Sequence, residues 1–150
     1  YFEPSSHVFP GFQVPKPFIT YNIFSLADFE ENLEPFADLE AKVRWVFQEL
    51  IAPDEYIYAL DWQHAGYRMN PHLKVRRNEW NEWLVPLYPD GDYYFYLQKD
   101  FEWGYLGHPW EGTITLFGEK LLEQFEKHHP LLFAGKLREG ESGGTSSILA

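Results

Sequence analysis

Three strand-like segments follow one another between residues 92 and 117, and this spacing constrains the fold more than any other feature of the chain. Residues 92–98 and 113–117 carry aromatic and β-branched side chains in strand-length runs, and residues 101–106 lie between them. Parallel strands need a crossover of a dozen or more residues, and these gaps are too short for one. The region therefore predicts antiparallel strands connected by turns.

Two further strands and one long helix are predicted upstream. Residues 18–24 alternate at the strand period, and residues 56–62 are apolar on both sides, as in a strand covered on both faces. A helix is expected from Pro35 until shortly before Pro53, because apolar side chains repeat at the helical period between them. These side chains are Phe36, Leu39, Val43, Val46, Phe47 and Leu50.

Shorter helices are predicted from local signals. Residues 119–127 place Leu121, Leu122 and Phe125 on one face, and Ser25 is an N-cap candidate for a helix over residues 25–32. The spacing of three aromatic and aliphatic side chains predicts another short helix over residues 80–84. We therefore expect an α+β fold, with an antiparallel sheet of about five strands and two or three helices packed on it.

Composition divides the chain into an arm, a body and a tail. Residues 1–17 contain four prolines and predict an extended arm, because proline fixes φ and removes a backbone donor. Residues 18–134 hold all the periodic segments and are expected to form a single domain. Residues 135–150 are rich in glycine and serine and predict a flexible tail.

Charge and residue content exclude several classes of function. The chain has no cysteine, which excludes disulfide frameworks, thiolate metal sites and cysteine nucleophiles. Its net charge of −11 argues against nucleic acid and anionic membranes as partners. No apolar run is long enough to cross a membrane, and no dinucleotide, phosphate-loop or nucleophile-elbow motif is present. We expect no cofactor.

Polar residues cluster where the predicted strands end. Loops at strand ends commonly carry functional sites, and antiparallel pairing can bring several strand ends to one edge of a sheet. The candidate polar site consists of Asp61, His64, Asp90, Asp92, His108 and Glu111. The candidate binding aromatics beside it are Trp62, Tyr94 and Trp110.

Imidazole and carboxylate groups together suit general acid–base chemistry or a metal such as zinc, iron or manganese. A small hydrolase would use Asp61, His64, His108 and Glu111, and a bound metal would take His64, His108 and Glu111 as ligands. Neither spacing is a specific metal signature, so we expect no metal. We favour a structural explanation: the histidines cap turns, and the carboxylates pair with Arg68, Arg76 or Arg77. We therefore assign no catalytic residue and leave open whether the chain is an enzyme.

Four motifs make the chain resemble a known protein family. They are ALDWQH at residues 59–64, YPDGDYY at 88–94, GHPWE at 107–111 and TLFG at 115–118. With these motifs, residues 55–125 resemble a family of small bacterial proteins classed as a domain of unknown function. The resemblance implies a compact bacterial domain located in the cytoplasm, and it assigns no catalytic residue.

Three functions follow from these observations. The first is a non-catalytic, immunity-like interaction domain that binds a basic protein partner, because acidic charge steers a basic partner and Trp and Tyr are frequent binding hot spots. The second is the small hydrolase described above. The third is a small-molecule binding module whose aromatic side chains, 19% of the chain, wall a pocket. The sequence predicts no oligomeric state.

Overall fold

A computed structural model describes residues 14–25, 34–62, 66–89 and 91–141 of the chain. Within these ranges, seven strands and two helices form one α+β unit. In chain order they are β1 (Phe18–Ile23), α1 (Glu34–Leu50), β2 (Ile57–Asp61), β3 (Gly66–Met69), β4 (Tyr94–Gln98), β5 (Gly104–His108), β6 (Thr113–Phe117), α2 (Glu119–Lys127) and β7 (Phe133–Gly140). All strands join one antiparallel sheet in the order β3-β2-β4-β5-β6-β1-β7, which confirms the predicted class.

Both helices pack on the same face of the sheet, which we call the helix face. Val43 and Phe47 of α1 and Phe125 of α2 are fully buried there against Tyr96 and Tyr105 of the central strands. The opposite face, which we call the second face, has its own apolar cluster. Its buried members are Phe18, Phe95, Leu97, Leu106 and Phe117. The sheet is therefore buried on both sides at its centre.

The loop between β3 and β4 also packs on the helix face. Trp83, Val85 and Leu87 belong to the same buried cluster as the helices. The hydroxyl of Tyr96 donates a hydrogen bond to the backbone carbonyl of Val85, and that of Tyr105 donates to the carbonyl of Leu87 at 2.6 Å. These bonds attach the loop to β4 and β5, so it takes the place that a third helix would fill.

The sheet has two more strands than predicted. β3 is a short edge strand, and β7 begins at Phe133 and continues to Gly140, past the predicted end of the domain at residue 134. β7 forms because it pairs along β1, a contact that composition does not reveal. Residues 142–150 of the predicted tail and residues 1–13 of the predicted arm lie outside the described residues.

The predicted helix over residues 80–84 is wrong. The chain makes a tight turn there, closed by a β-bridge between Arg77 and Trp83. The side chain of Asn78 accepts hydrogen bonds from two backbone N–H groups of the turn, and Asn81 has a φ of 62°. A left-handed residue ends any helix, so the spacing reflects a turn. The predicted helix over residues 25–32 falls almost wholly outside the described residues.

Candidate functional site

The strand register places the predicted polar segments at one edge of the sheet. Asp61, the last residue of β2, pairs with Tyr94 at the start of β4, and Tyr94 pairs in turn with Gly107 near the end of β5. His108 then pairs with Thr113 of β6. His64 and Asp90 lie outside the described residues, so the structure does not locate them.

The same register separates two of the candidate residues by face. Side chains alternate along a strand, and Ala59 belongs to the cluster on the helix face, so Asp61 points to that side as well. Leu106 belongs to the cluster on the second face, and His108 follows it there. The structure therefore brings His108 together with Glu111 but places Asp61 on the other side of the sheet.

His108 and Glu111 form a compact polar cluster with Arg138 of β7. The backbone N–H of Glu111 donates to Nδ1 of His108 at 3.2 Å, and the hydroxyl of Thr113 donates to Oε1 of Glu111 at 2.7 Å. Arg138 binds both carboxylate oxygens, through Nη1 at 3.0 Å and through Nη2. The ring of Tyr93 packs edge-on against the His108 ring, with 4.8 Å between the ring centroids. We call these residues the His108 cluster.

Burial and charge set the protonation of this cluster. Burial lowers the pKa of His108 below its ordinary value, and the nearby Glu111 offsets only part of that effect. Burial would raise the pKa of Glu111, but hydrogen bonds from Arg138 and Thr113, together with the charges of Arg138 and His108, outweigh it, so this pKa is lowered. The ring is therefore neutral at pH 7, and because Nδ1 accepts a hydrogen bond, the proton is on Nε2.

The contacts of Glu111 are those of a structural ion pair. Its side chain is only 9% exposed and that of Arg138 only 11%, and three donors occupy the carboxylate. The pair fixes edge strand β7 to the turn between β5 and β6. Arg138 was not a candidate partner from sequence, because it lies in the predicted tail.

Two of the three candidate arginines have other contacts, and the third, Arg76, forms no ion pair with any described residue. Arg77 binds both oxygens of Glu40 at 2.7 Å, and the guanidinium of Arg68 lies 4.9 Å from the centre of the Tyr56 ring. In the described part of the chain, no group of three or more histidine, aspartate or glutamate side chains is arranged to hold a metal ion.

The remaining candidates differ in exposure. Asp92 is buried and accepts a hydrogen bond from the backbone N–H of Tyr93 at 2.8 Å. Tyr94 is buried in the cluster on the helix face. Trp62 and Trp110, by contrast, are 48% and 74% exposed. Of the three candidate binding aromatics, these two tryptophans are the ones that a ligand can reach.

A groove that the sequence analysis missed lies beside α2, at the β1–β7 end of the helix face. Its volume is about 840 Å³, and its apolar floor includes Ile19, Tyr21 and Leu122. Its charged lining consists of Glu119, Glu123, Glu126, Glu141 and Lys136. We call it the acidic groove. Three of its glutamates follow one another at i, i+4 and i+7 on α2, and this helical spacing is the sequence signal that could have found it.

The charged lining of the groove is mainly negative, with four glutamates and one lysine. The lysine, Lys136, lies 3.6 Å from a further carboxylate, that of Glu139. Burial raises the pKa of Tyr21 in the floor, and the charges of Glu126 and Glu139 raise it further. A cation entering the groove would meet several carboxylates above an apolar surface.

Comparison with known proteins gives one family and one relative. The model of a family described as a protein of unknown function (DUF2716) matches residues 1–122. The uncharacterized protein YxiI of Bacillus subtilis (strain 168) is 40% identical over 134 residues, which are 87% of this chain and 80% of that protein. No solved structure matches. Among the described residues, neither helix is long and apolar enough to span a membrane.

Proposed function

This chain belongs to the DUF2716 family of unknown function, and we propose from its structure that it is a non-catalytic interaction domain whose acidic groove binds a basic protein partner. The predicted membership of a family of unknown function is confirmed. The family description and the relative's name assign no reaction, so the proposal depends on the geometry of the chain itself.

The observation that carries the proposal is the groove's combination of charge and apolar floor. Carboxylates of opposite sign to a basic partner speed the encounter and fix its orientation. Ile19 and Leu122 beneath them offer apolar contact area, which supplies affinity once the charges have brought the partner in. Lysine and arginine suit this site because their long apolar stems can cover such a floor while their charges meet the glutamates.

The edge position of β7 supports an extended partner segment. β7 is the last strand of the sheet order and pairs with β1 on one side. Its backbone and Lys136 border the groove, and Leu137 next to it is 44% exposed. An extended peptide that aligns beside such an edge gains backbone hydrogen bonds and places alternate side chains toward the groove.

The His108 cluster favours a non-catalytic function. Its carboxylate is engaged by Arg138, so Glu111, which lies beside the imidazole in the described part of the chain, is not a free base. The hydrolase alternative also depends on His64, which lies outside the described residues, so it stays a prediction. A cytoplasmic location, an immunity-like role and the exclusion of nucleic-acid partners are likewise predictions that accompany this proposal.

The test is binding of a labelled peptide that alternates lysine with valine, measured by fluorescence anisotropy at increasing salt. We expect saturable binding that weakens as salt screens the charges. Replacing Glu119, Glu123 and Glu126 by glutamine should weaken binding about tenfold or more, since charge-assisted contacts are the stronger ones.

A matched control separates the groove from overall charge. Replacing the exposed Glu49, Glu79 and Glu102 by glutamine changes the net charge by the same amount away from the groove. Equal weakening by both triple variants would contradict a defined binding groove. No saturable binding by the wild-type chain would contradict the proposal as a whole.

A further inference from the structure

We infer that a second cavity, at the β2–β3 end of the helix face, binds a small organic carboxylate with an apolar body. The cavity has a volume of about 250 Å³. Its floor includes Ala59 of β2 and Tyr96 of β4, and Trp83 of the β3–β4 loop forms part of its wall. Lys74 and Arg76 of the same loop also line it. We call it the Trp83 cavity.

The first observation is a buried donor in the wall. Trp83 is only 2% exposed, and its indole Nε1 makes no hydrogen bond to any residue that the structure describes. A buried N–H group normally has an acceptor, because burial without one forfeits its hydration. Trp83 lines the cavity, so a carboxylate bound there would bring an acceptor to the edge of the indole once the side chains around Nε1 make room.

The second observation concerns Lys74 and Arg76, two of the three cationic side chains in the lining; the third is Arg68. Lys74 and Arg76 are exposed, and within the described ranges no carboxylate forms an ion pair with either. The adjacent Arg77, by contrast, is held by Glu40. On a chain of net charge −11, two unpaired cations at one cavity select an anion.

Size and lining define the rest of the ligand. An apolar cavity of about 150 Å³ holds benzene, so this one accommodates a single ring or a branched chain with a carboxylate. Leu73 and Val75 add apolar surface to the wall. Trp83 also borders a wider cleft of about 590 Å³, but the cation in that lining, Arg77, is held by Glu40, and Glu82 adds a negative charge that disfavours an anion there.

The experiment follows the indole N–H resonance of Trp83 in the ¹⁵N-labelled protein, assigned by its loss in the Trp83→Phe variant. The probe is phenylacetate, with the neutral phenylacetamide as its matched comparison. We expect a saturable shift with phenylacetate and binding about tenfold weaker with the amide, because a charge-assisted contact is lost. Replacing both Lys74 and Arg76 by alanine should weaken phenylacetate binding by a similar factor.

The control replaces Lys99 and Lys120, which are exposed and outside the cavity, and should leave phenylacetate binding unchanged. Equal binding of acid and amide, or an unchanged affinity in the Lys74/Arg76 variant, would overturn the assignment of a carboxylate. No shift of the Trp83 resonance at about 10 mM phenylacetate, a concentration that detects even millimolar affinity, would overturn the cavity as a binding site. These variants leave the acidic groove intact, so the two proposals succeed or fail separately.

Discussion

The two ends of the helix face are completed in different ways and carry opposite charges. At the β2–β3 end, the loop between β3 and β4 lies over the sheet, buries Trp83 and presents Lys74 and Arg76. At the β1–β7 end, the acidic groove lies beside α2 with Ile19 and Leu122 only partly buried in its floor. One end is finished by the chain's own loop, and the other offers an apolar floor under negative charge.

The width of the sheet explains why the ends must differ from the middle. Seven strands about 4.8 Å apart span about 29 Å, whereas two helices packed about 10 Å apart cover only about 20 Å. Some other segment has to complete the helix face. The loop does so at one end, and we propose that a partner does so at the other.

The largest effect should come from removing the side chain that anchors the loop. We expect Trp83→Ala to lower the free energy of unfolding by about 3–5 kcal/mol, because it leaves a cavity in the core. The matched control is Trp80→Ala, since Trp80 lies in the same loop but is 73% exposed, and its effect should stay within about 0.5 kcal/mol. Urea denaturation measures both, and equal losses would contradict a loop anchored by Trp83.

The next effect tests what holds the acidic end together. Arg138→Met removes the cation from a nearly buried ion pair and should cost about 3 kcal/mol, because the carboxylate of Glu111 is left without its partner. Lys136→Met removes the cation of the Lys136–Glu139 pair, whose side chains are about half exposed. It should lower the free energy of unfolding by less than about 1 kcal/mol. A small loss from Arg138→Met, measured by urea denaturation, would mean that β7 is held by its backbone pairing alone.

A smaller, pH-dependent effect should also come from the His108 cluster. Burial lowers the pKa of His108 in the folded chain below 6.5, so on acidification the unfolded chain takes up this proton first. Stability from this group is therefore complete above about pH 6.5 and falls as pH drops through that value toward the folded pKa. The lowered pKa of Glu111 acts in the same direction below 4.5.

The variant His108→Asn tests this contribution, because the amide oxygen can still accept the N–H of Glu111 but does not titrate. We expect its free energy of unfolding to fall less than that of the wild type between about pH 7.5 and pH 5.5, as measured by urea denaturation at each pH. Parallel profiles for the two proteins would contradict a neutral, buried His108.

The smallest effect concerns repulsion within the acidic groove. Glu123→Gln together with Glu126→Gln should raise Tm by about 1 °C at low salt, because neighbouring carboxylates repel one another. The gain should disappear at high salt, and Glu49→Gln on α1 should produce none. Calorimetry at two salt concentrations decides this, and a gain that does not depend on salt would contradict the electrostatic explanation.

The elements that could be predicted are those with local signals. Local sequence alone predicts the helix, from the apolar repeat along residues 36–50. It also predicts the strand-like runs of β1, β2, β4, β5 and β6, without knowledge of the strands they pair with. β3 and β7 are not, because one has only four residues and the other carries glycines and charges between its apolar positions. β7 is a strand because β1, at the other end of the chain, pairs with it.

The loop shows how one spacing can suit two structures. Trp80 and Trp83 are three residues apart, as on one face of a helix, but the turn capped by Asn78 directs one ring outward and buries the other. A turn of this kind depends on a left-handed residue, here Asn81, which the periodicity of side chains does not report.

For the candidate site, the edge of the sheet could be predicted, but the face on which each side chain lies could not. Turn motifs mark strand ends, and the ends that carry Asp61 and His108 do lie at one edge. Which face each side chain takes depends on the register, where a shift of one residue reverses the answer. The ion-pair partner of Glu111 could not be predicted, because Arg138 joins the cluster only through the pairing of β7.

The place of β1 in the sheet delays its pairing during synthesis. β1 comes first among the described strands, yet its two neighbours in the sheet are β6 and β7. On a ribosome it emerges long before either neighbour exists, and contacts so distant in sequence make folding slow. Until β6 and β7 have been synthesised, β1 has two open edges, and other chains can pair with them.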